Sequence, residues 1–403
     1  MKTVVIIGGG ASGMMAALTA AETKENHVIL LERQQRLGRK LLATGNGRCN
    51  LTNTGATAEH YHGAEPDFVR PALEKFGPAD CLRFFEELGL LTVTEYGGRV
   101  YPLSNSANSV LDVLRFALDR AGVGQRCACP AREIRRRNGG GYTVVTDEGE
   151  LAADALIVAC GGAAGARLGG VLDGYQLLSP LGHKRGKLYP ALVQLLTEPE
   201  YPRALKGVRA QARLQVRSGE SVLAESRGEV QFTETGVSGP AAFDVSRAVS
   251  TGGEGLGLHL CFLPGSREEN EERLRRRQEQ LPDLPAGDWL TGMVHNRLGR
   301  MLIKYSGVDA NAPLGALGAR ERQAVAAACM DFSLKLRGTE TFDHAQVTAG
   351  GIRTAGFNPE TLESWFMPGL FVCGELLDVD GDCGGYNLQW AWASGRLAGR
   401  LGT

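Results

Sequence analysis

The chain has 403 residues, and 55 of them are glycine, about 14% against a typical usage of roughly 7%. With 43% apolar residues and a net charge of -1 it has the composition of a folded protein, and 44 basic against 45 acidic side chains argue against nucleic acid or an anionic membrane as principal partner. The glycines carry no three-residue period, which excludes collagen and leaves turns and close backbone approaches as their use.

Val4 to Ile7 is a short apolar run; glycines follow, then Met14, Ala17, Leu18 and Ala21 at helical spacing, then a second apolar run at Val28 to Leu31. This predicts a strand, a helix and a buried parallel strand. Helical patterns are expected over Pro66 to Leu88 and from Ser109 to Arg120. Beyond Gly124, the segments Gln125 to Ile134, Gly141 to Thr146 and Leu151 to Ala159 read as strands of one antiparallel meander. Short alternating segments at Ala210 to Val216 and Gly257 to Leu263 suit a small sheet or barrel. From Ser266 to about 335 the pattern turns helical, opening on the charged run Arg267 to Gln280, a solvated helix face. Gly369 to Cys373 form another buried-strand run, and a helix is expected from Tyr386 to Leu397.

The expected architecture is α/β: a discontinuous Rossmann-like domain, 1–187 and 346–403, interrupted by a β-barrel-like part at 188–264 and a helical part at 265–345. No apolar stretch approaches the roughly 18 residues needed to span a bilayer, so no membrane span is expected. The apolar start is broken by Gly8, Gly9 and Gly10 and does not read as a secretory leader. Nine scattered cysteines without a Cys-x-x-Cys spacing suggest a reducing, cytoplasmic setting.

Gly8-Gly9-Gly10-Ala11-Ser12-Gly13 fits G-x-G-x-x-G between a predicted strand and the helix it opens. Gly8 allows the sharp turn, Gly10 lets backbone approach a pyrophosphate, and Gly13 lets helix and strand pack closely. Glu32 closes the second strand, where a carboxylate can accept from a ribose diol. Near the other end, Gly374-Glu375 follow a buried strand and Gly384-Gly385 precede a helix whose amides can meet a second edge of the cofactor. A dinucleotide gripped from both chain ends points to resident FAD.

The block from Arg36 to Asn53, RLGRKLLATGNGRCNLTN, together with Phe232 to Pro240 (FTETGVSGP), Thr348 to Ile352 (TAGGI) and Gly369 to Gly399, resembles the BaiN-like flavoproteins. These are a branch of the glutathione-reductase-like, FAD-dependent oxidoreductases. The resemblance implies an FAD-binding Rossmann-like domain interrupted by a substrate region. By position it places Ala11, Ser12 and Gly13 at the pyrophosphate, Glu32 and Arg33 near the adenosine ribose, and the backbone of Ala131 at adenine. Arg39, Lys40, Gly47, Arg48, Cys49 and Gly161 fall in cofactor loops, and Gly374, Glu375, Gly385, Asn387 and Leu388 fall along the ribityl chain and flavin ring. Asp382-Cys383 departs from the Thr or Pro-Thr more usual before the double glycine. The family takes its name from a bile-acid member that reduces conjugated carbon-carbon double bonds of a 3-oxo steroid, implying a small hydrophobic substrate. A related branch, labelled aminoacetone oxidase, lacks the Tyr386 to Trp390 sequence found here.

No second G-x-G-x-x-G follows a predicted strand, since Gly252 to Gly257 has the wrong order; NAD(P)H is therefore expected as a transient donor, without a nicotinamide domain of its own. A flavin-binding redox sensor is the competing class. No catalytic side chain is singled out: Tyr189 and Tyr386 are both candidate proton donors and both fit aromatic packing. Cys127 and Cys129 read as core, as does Cys160, while Cys49 beside Arg48 is either a lowered-pKa thiol or a structural one. His60-x-His62 lies in a polar context, and no metal is expected.

Overall fold

The computed structural model describes residues 1–402; Thr403, the last residue of the expected 346–403 segment, lies outside the described residues. The chain forms two compact units, Met1–Tyr189 with Ala345–Thr403, and Pro190–His344 between them in sequence.

The first unit is built on a five-stranded sheet with spatial order Leu370–Val372, Ala155–Val158, Lys2–Ile7, Asn26–Leu31, Gly124–Arg126. Every neighbouring pair is parallel. The apolar runs are continuous because helices and loops cover both faces of such a sheet, and Val4, Val5, Ile6, Leu156, Ile157 and Val158 are wholly buried. The helix Ala11–Ala20 crosses the C-terminal helix Tyr386–Gly399 at small residues. A Cβ at Gly395 would lie 2.4 Å from the Ser12 carbonyl oxygen, and one at Gly399 2.6 Å from that of Ala16, so these glycines set the helix separation.

Two expected elements are divided. The helical stretch from Pro66 to Leu88 breaks into Pro66–Val69, Arg70–Lys75 and Pro78–Glu87, because Gly77 is extended before Pro78 and its amide is capped by Asp80 at 3.1 Å. The meander is not one sheet. Ala128 takes a φ of 54° and Pro130 follows, so Gly124–Arg126 stays in the parallel sheet while Ala131–Arg136 turns away. Ala131–Arg136, Tyr142–Thr146 and Gly149–Ala153 make a separate antiparallel sheet, and the expected strand Leu151 to Ala159 divides at Asp154, which bonds Thr3 instead.

The second unit holds a closed antiparallel barrel of Leu195–Thr197, Gly236–Ser238, Ser221–Phe232, Arg209–Ser218, Leu256–Cys261 and Phe332–Thr339. Its closing strand comes after the helices Arg267–Gln280, Asn296–Tyr305 and Ala319–Met330, so the stretch expected to be helical to about 335 ends in a barrel strand. Leu214, Val216, Val230, Phe232, Leu258, Leu260 and Phe332 fill the unit's core. Arg267–Gln280 carries its charges outward and buries only Asn270 and Leu274.

Candidate functional site: a dinucleotide cradle

At the end of the first strand, Gly8 turns with a φ of 111°, where a Cβ would lie 2.4 Å from the Ala159 carbonyl oxygen. A Cβ at Gly13 would stand 1.8 Å from the Gly8 oxygen, so no side chain fits between helix and turn. Gly10 is different: nothing lies within 4 Å of its Cβ position. It faces open space rather than the core. Gly10 offers no side-chain cap and the first turn has no acidic residue, which leaves the leading amides of Ala11, Ser12 and Gly13 available to an anion.

Glu32 follows the second strand. Its carboxylate accepts from the amides of Gly9 at 2.8 Å and Gln34 at 2.7 Å, which fixes it beside the glycine turn with acceptor capacity left over. The amide of Cys129 donates to the Glu32 carbonyl at 2.9 Å, bringing the Pro130-Ala131 backbone to the same edge. Arg33 pairs with Asp173 at 3.2 Å, and Arg39 donates to Gln34 at 2.9 Å; both are exposed contacts.

Lys40 reaches Glu375, Nζ to Oε2 2.7 Å. The other Glu375 oxygen accepts from the Thr348 amide at 2.9 Å, and the Thr348 hydroxyl accepts from the Ala164 amide at 2.9 Å. Four segments distant in sequence thus meet at one carboxylate, with Gly162 tight against it and Gly161, φ 72°, open where a Cβ would point. Gly374 closes on the helix of the fingerprint, a Cβ there falling 2.4 Å from the Ser12 hydroxyl. Its amide donates to Ser394 at 3.0 Å and its carbonyl accepts from Trp390 at 3.1 Å.

The C-terminal helix also holds the signature loop. Gln389 meets the Thr52 hydroxyl at 2.6 Å and the Phe76 carbonyl at 2.8 Å, Trp392 donates to the Leu51 carbonyl at 2.9 Å, and Asn53 donates to the Gly384 carbonyl at 2.9 Å. Gly385 begins the helix with a φ of 105°, packed 2.4 Å from the Thr52 oxygen in its Cβ direction. Asn387 closes a ring with Gly381, accepting at 2.8 Å and donating at 2.7 Å, while Leu388 packs on the core.

Two signature residues turn their side chains elsewhere. Arg48 bonds Asn105 and Glu95 and lies 3.9 Å over the Tyr101 ring, and the Glu95 bond chiefly raises its pKa. Cys49 is fully buried, and burial pushes its thiol up to about 12; the lowered-pKa alternative is thereby overturned, because the guanidinium beside it in sequence serves Glu95 instead. Cys129 is core, and Cys127 and Cys160 are half-buried and pack against that core; the turn at Ala128 takes Cys127 off any strand, and Cys160 follows the end of Ala155–Val158. Gly47, φ 85°, is open in its Cβ direction. Glycine spacing revealed the cradle, but gave no signal for Thr348 or for the Tyr175 hydroxyl, which is buried without a partner. No group of metal ligands occurs among the described residues.

A glycine-opened helix start beyond a parallel sheet, with an acidic residue at the next strand end, defines a dinucleotide-binding protein of the Rossmann class. The chain belongs to the family of HI0933-like protein Rossmann domains, which it matches over residues 2–401. It is 40% identical over 99% of its length, and 98% of the relative's, to the 3-dehydro-bile acid delta(4,6)-reductase of Clostridium scindens. It is 29% identical to the ribosomal RNA dihydrouridine synthase of Escherichia coli, covering 91% of this chain and 90% of that one. Among solved structures, the 3-ketosteroid delta1-dehydrogenase of Sterolibacterium denitrificans matches with a TM-score of 0.51 at 13% identity, covering 99% of each chain, a likeness of fold.

Proposed function

We propose that this chain uses bound FAD to saturate a carbon-carbon double bond conjugated to a carbonyl in a small hydrophobic, steroid-like compound. It is an FAD-dependent oxidoreductase of the Rossmann type. The observation that carries the reading is the cradle at Gly10, open in its Cβ direction at an uncapped helix start, in a chain 40% identical end to end to a delta(4,6)-reductase. A dinucleotide fits there: the amides of Ala11, Ser12 and Gly13 would take the pyrophosphate, Glu32 the adenosine ribose and the Ala131 backbone adenine. Lys40, Glu375, Gly374, Gly161, Gly385, Asn387 and Leu388 would line the remainder toward the flavin, with Arg33, Arg39 and Gly47 at the outer loops. FAD, when bound, supplies two-electron hydride chemistry, and the protein supplies position, electrostatics and a proton.

Saturating a bond conjugated to a carbonyl is also the chemistry of making dihydrouridine from uridine, so both named relatives support one reaction class. The higher identity to the bile-acid enzyme and the near-zero net charge favour the small-molecule substrate over RNA. NAD(P)H is the proposed donor, docking transiently, and the cytoplasm the proposed compartment. No helix among the described residues is long and apolar enough to cross a membrane.

The test is anaerobic stopped-flow mixing of FAD-reconstituted protein with NADH or NADPH, then with a 3-oxo-4,6-diene steroid. Bleaching by donor and recovery with the steroid is the expected result. A protein that takes up no FAD, or a reduced holoprotein that no conjugated carbonyl reoxidises, would sink the reading, and the second outcome would point to a flavin sensor.

A further inference from the structure

One polar cluster in the first unit borders the proposed cradle at Asn387. The Asp382 carboxylate joins two imidazoles, Oδ2 to His60 Nδ1 at 2.9 Å and Oδ1 to His62 Nε2 at 2.8 Å. The backbone holds the three together, since Tyr61–His62 pairs antiparallel with Asp380–Gly381 and the Asp382 amide donates to the His60 carbonyl at 3.0 Å. The His60 ring stacks on Tyr386 with centroids 4.4 Å apart, and Tyr61 donates to the Tyr386 carbonyl at 2.9 Å. Asn387 donates to the Asp382 carbonyl at 3.3 Å. The cluster is therefore built onto the first turn of the helix that begins at Gly385.

Burial by itself would raise the Asp382 carboxyl, but the hydrogen bonds from His62 and His60 outweigh it and hold the group below its ordinary range. An ionised carboxylate only accepts, so both bonded ring nitrogens carry protons. His60 Nε2 and His62 Nδ1 are then the atoms that gain or release one. Both imidazoles are half-exposed, so solvent can recharge them. The other charged or titratable groups around the pair are Glu59 with Arg70 beside His60, Tyr61 and Tyr386 packed on it, and Asp378 and Asp380 on the segment facing His62.

We propose that the His60–Asp382–His62 cluster is the proton source for double-bond reduction, with His60 as donor and Asp382 and His62 as positioning residues. The proposal rests on the reductase reading above. His60 is the donor because it stacks on Tyr386, next to Asn387 at the proposed flavin edge. FAD, when bound and reduced, would supply a hydride to the carbon β to the carbonyl, and the displaced π pair would rest on the α-carbon and carbonyl oxygen as an enolate. The proton leaves Nε2 of doubly protonated His60 and forms the α-carbon–hydrogen bond, His60 becomes neutral, and water returns the proton. Two electrons and two hydrogens are added in all.

The test uses holoprotein reduced anaerobically by dithionite and mixed with a 3-oxo-4,6-diene steroid across pH. His60→Gln is expected to slow flavin reoxidation roughly 10²-fold near neutrality and to flatten its pH profile, while FAD affinity and reduction by dithionite stay unchanged. Asp382→Asn is expected to displace the profile. A second readout needs no turnover: in ¹⁵N-histidine NMR of the oxidised holoprotein, Asp382→Asn should move the resonances of His60 Nδ1 and His62 Nε2, the two ring nitrogens bonded to its carboxylate. A wild-type profile in His60→Gln, or ring-nitrogen resonances indifferent to Asp382→Asn, overturns the proposal and leaves the reductase reading standing. Wild-type holoprotein inert toward every conjugated carbonyl overturns both.

Discussion

Lys40 and Glu375 stand 335 residues apart in the chain and form an ion pair of 2.7 Å, with side chains 30% and 21% exposed. Through Glu375 the pair ties the signature loop to the Thr348 amide and to the end of the strand Leu370–Val372. A partly buried pair sharing a backbone hydrogen bond should contribute more than an exposed one. In a double-mutant cycle of Lys40→Met and Glu375→Gln, denaturant unfolding of the FAD-free protein should give a coupling of about 1 kcal/mol. Simple additivity would mean that the pair contributes nothing to the fold.

The fingerprint glycines should separate by function. Ala at position 13 would place Cβ 1.8 Å from the Gly8 oxygen, and the backbone must shift. Gly13→Ala is expected to lower the stability of the FAD-free protein by about 3 kcal/mol. Gly10 has φ -80° and ψ -170°, which any residue adopts, and open space at its Cβ. Gly10→Ala should therefore melt within about 0.5 kcal/mol of wild type while binding FAD at least roughly tenfold more weakly. Equal FAD affinity, read by flavin fluorescence on titration, would remove the pyrophosphate from this cradle.

Cys49 should behave as an inert core thiol. With its pKa pushed up to about 12 by burial, about one molecule in 10⁴ carries the thiolate at pH 8. Iodoacetamide labelling followed by mass spectrometry is expected to modify Cys49 only at the rate of unfolding. Rapid labelling in the native state would restore it as a reactive site.

The cradle was legible in the sequence because its constraints are local. Gly8, Gly10 and Gly13 lie within one strand-turn-helix unit: Gly13 answers to the Gly8 oxygen inside that unit and Gly10 to open space, and only Gly8 also packs on a distant atom, the Ala159 oxygen. The braces around it were not legible, because they join segments hundreds of residues apart. Thr52 and Gln389 are separated by 337 positions, and neither residue type signals the other. The Asp382 cluster was hidden for the same reason: His60-x-His62 has no chemistry until the antiparallel pairing with Asp380–Gly381 supplies the carboxylate. The broken meander was missed on torsion, since alternation in Gln125 to Ile134 does not reveal that Ala128 sits at a φ of 54°.

His183 should make stability depend on pH. Its ring lies between Phe357 at 4.5 Å and Phe366 at 4.6 Å, Nε2 has no partner, and burial lowers its pKa from 6.5 to about 4. Above pH 6.5 the group is neutral in both states and contributes no slope. As pH falls from 6.5 to about 4 the unfolded chain binds the proton and the folded one does not, so stability declines by up to about 3 kcal/mol. His183→Phe completes the aromatic stack, removes the orphaned nitrogen and abolishes that slope. Denaturant unfolding near pH 7 and near pH 4.5 should show wild type losing about 2 kcal/mol more than His183→Phe between the two. Parallel losses would place the acid sensitivity on other groups, and a large deficit of His183→Phe at pH 7 would mean that Nε2 is bonded after all, through water.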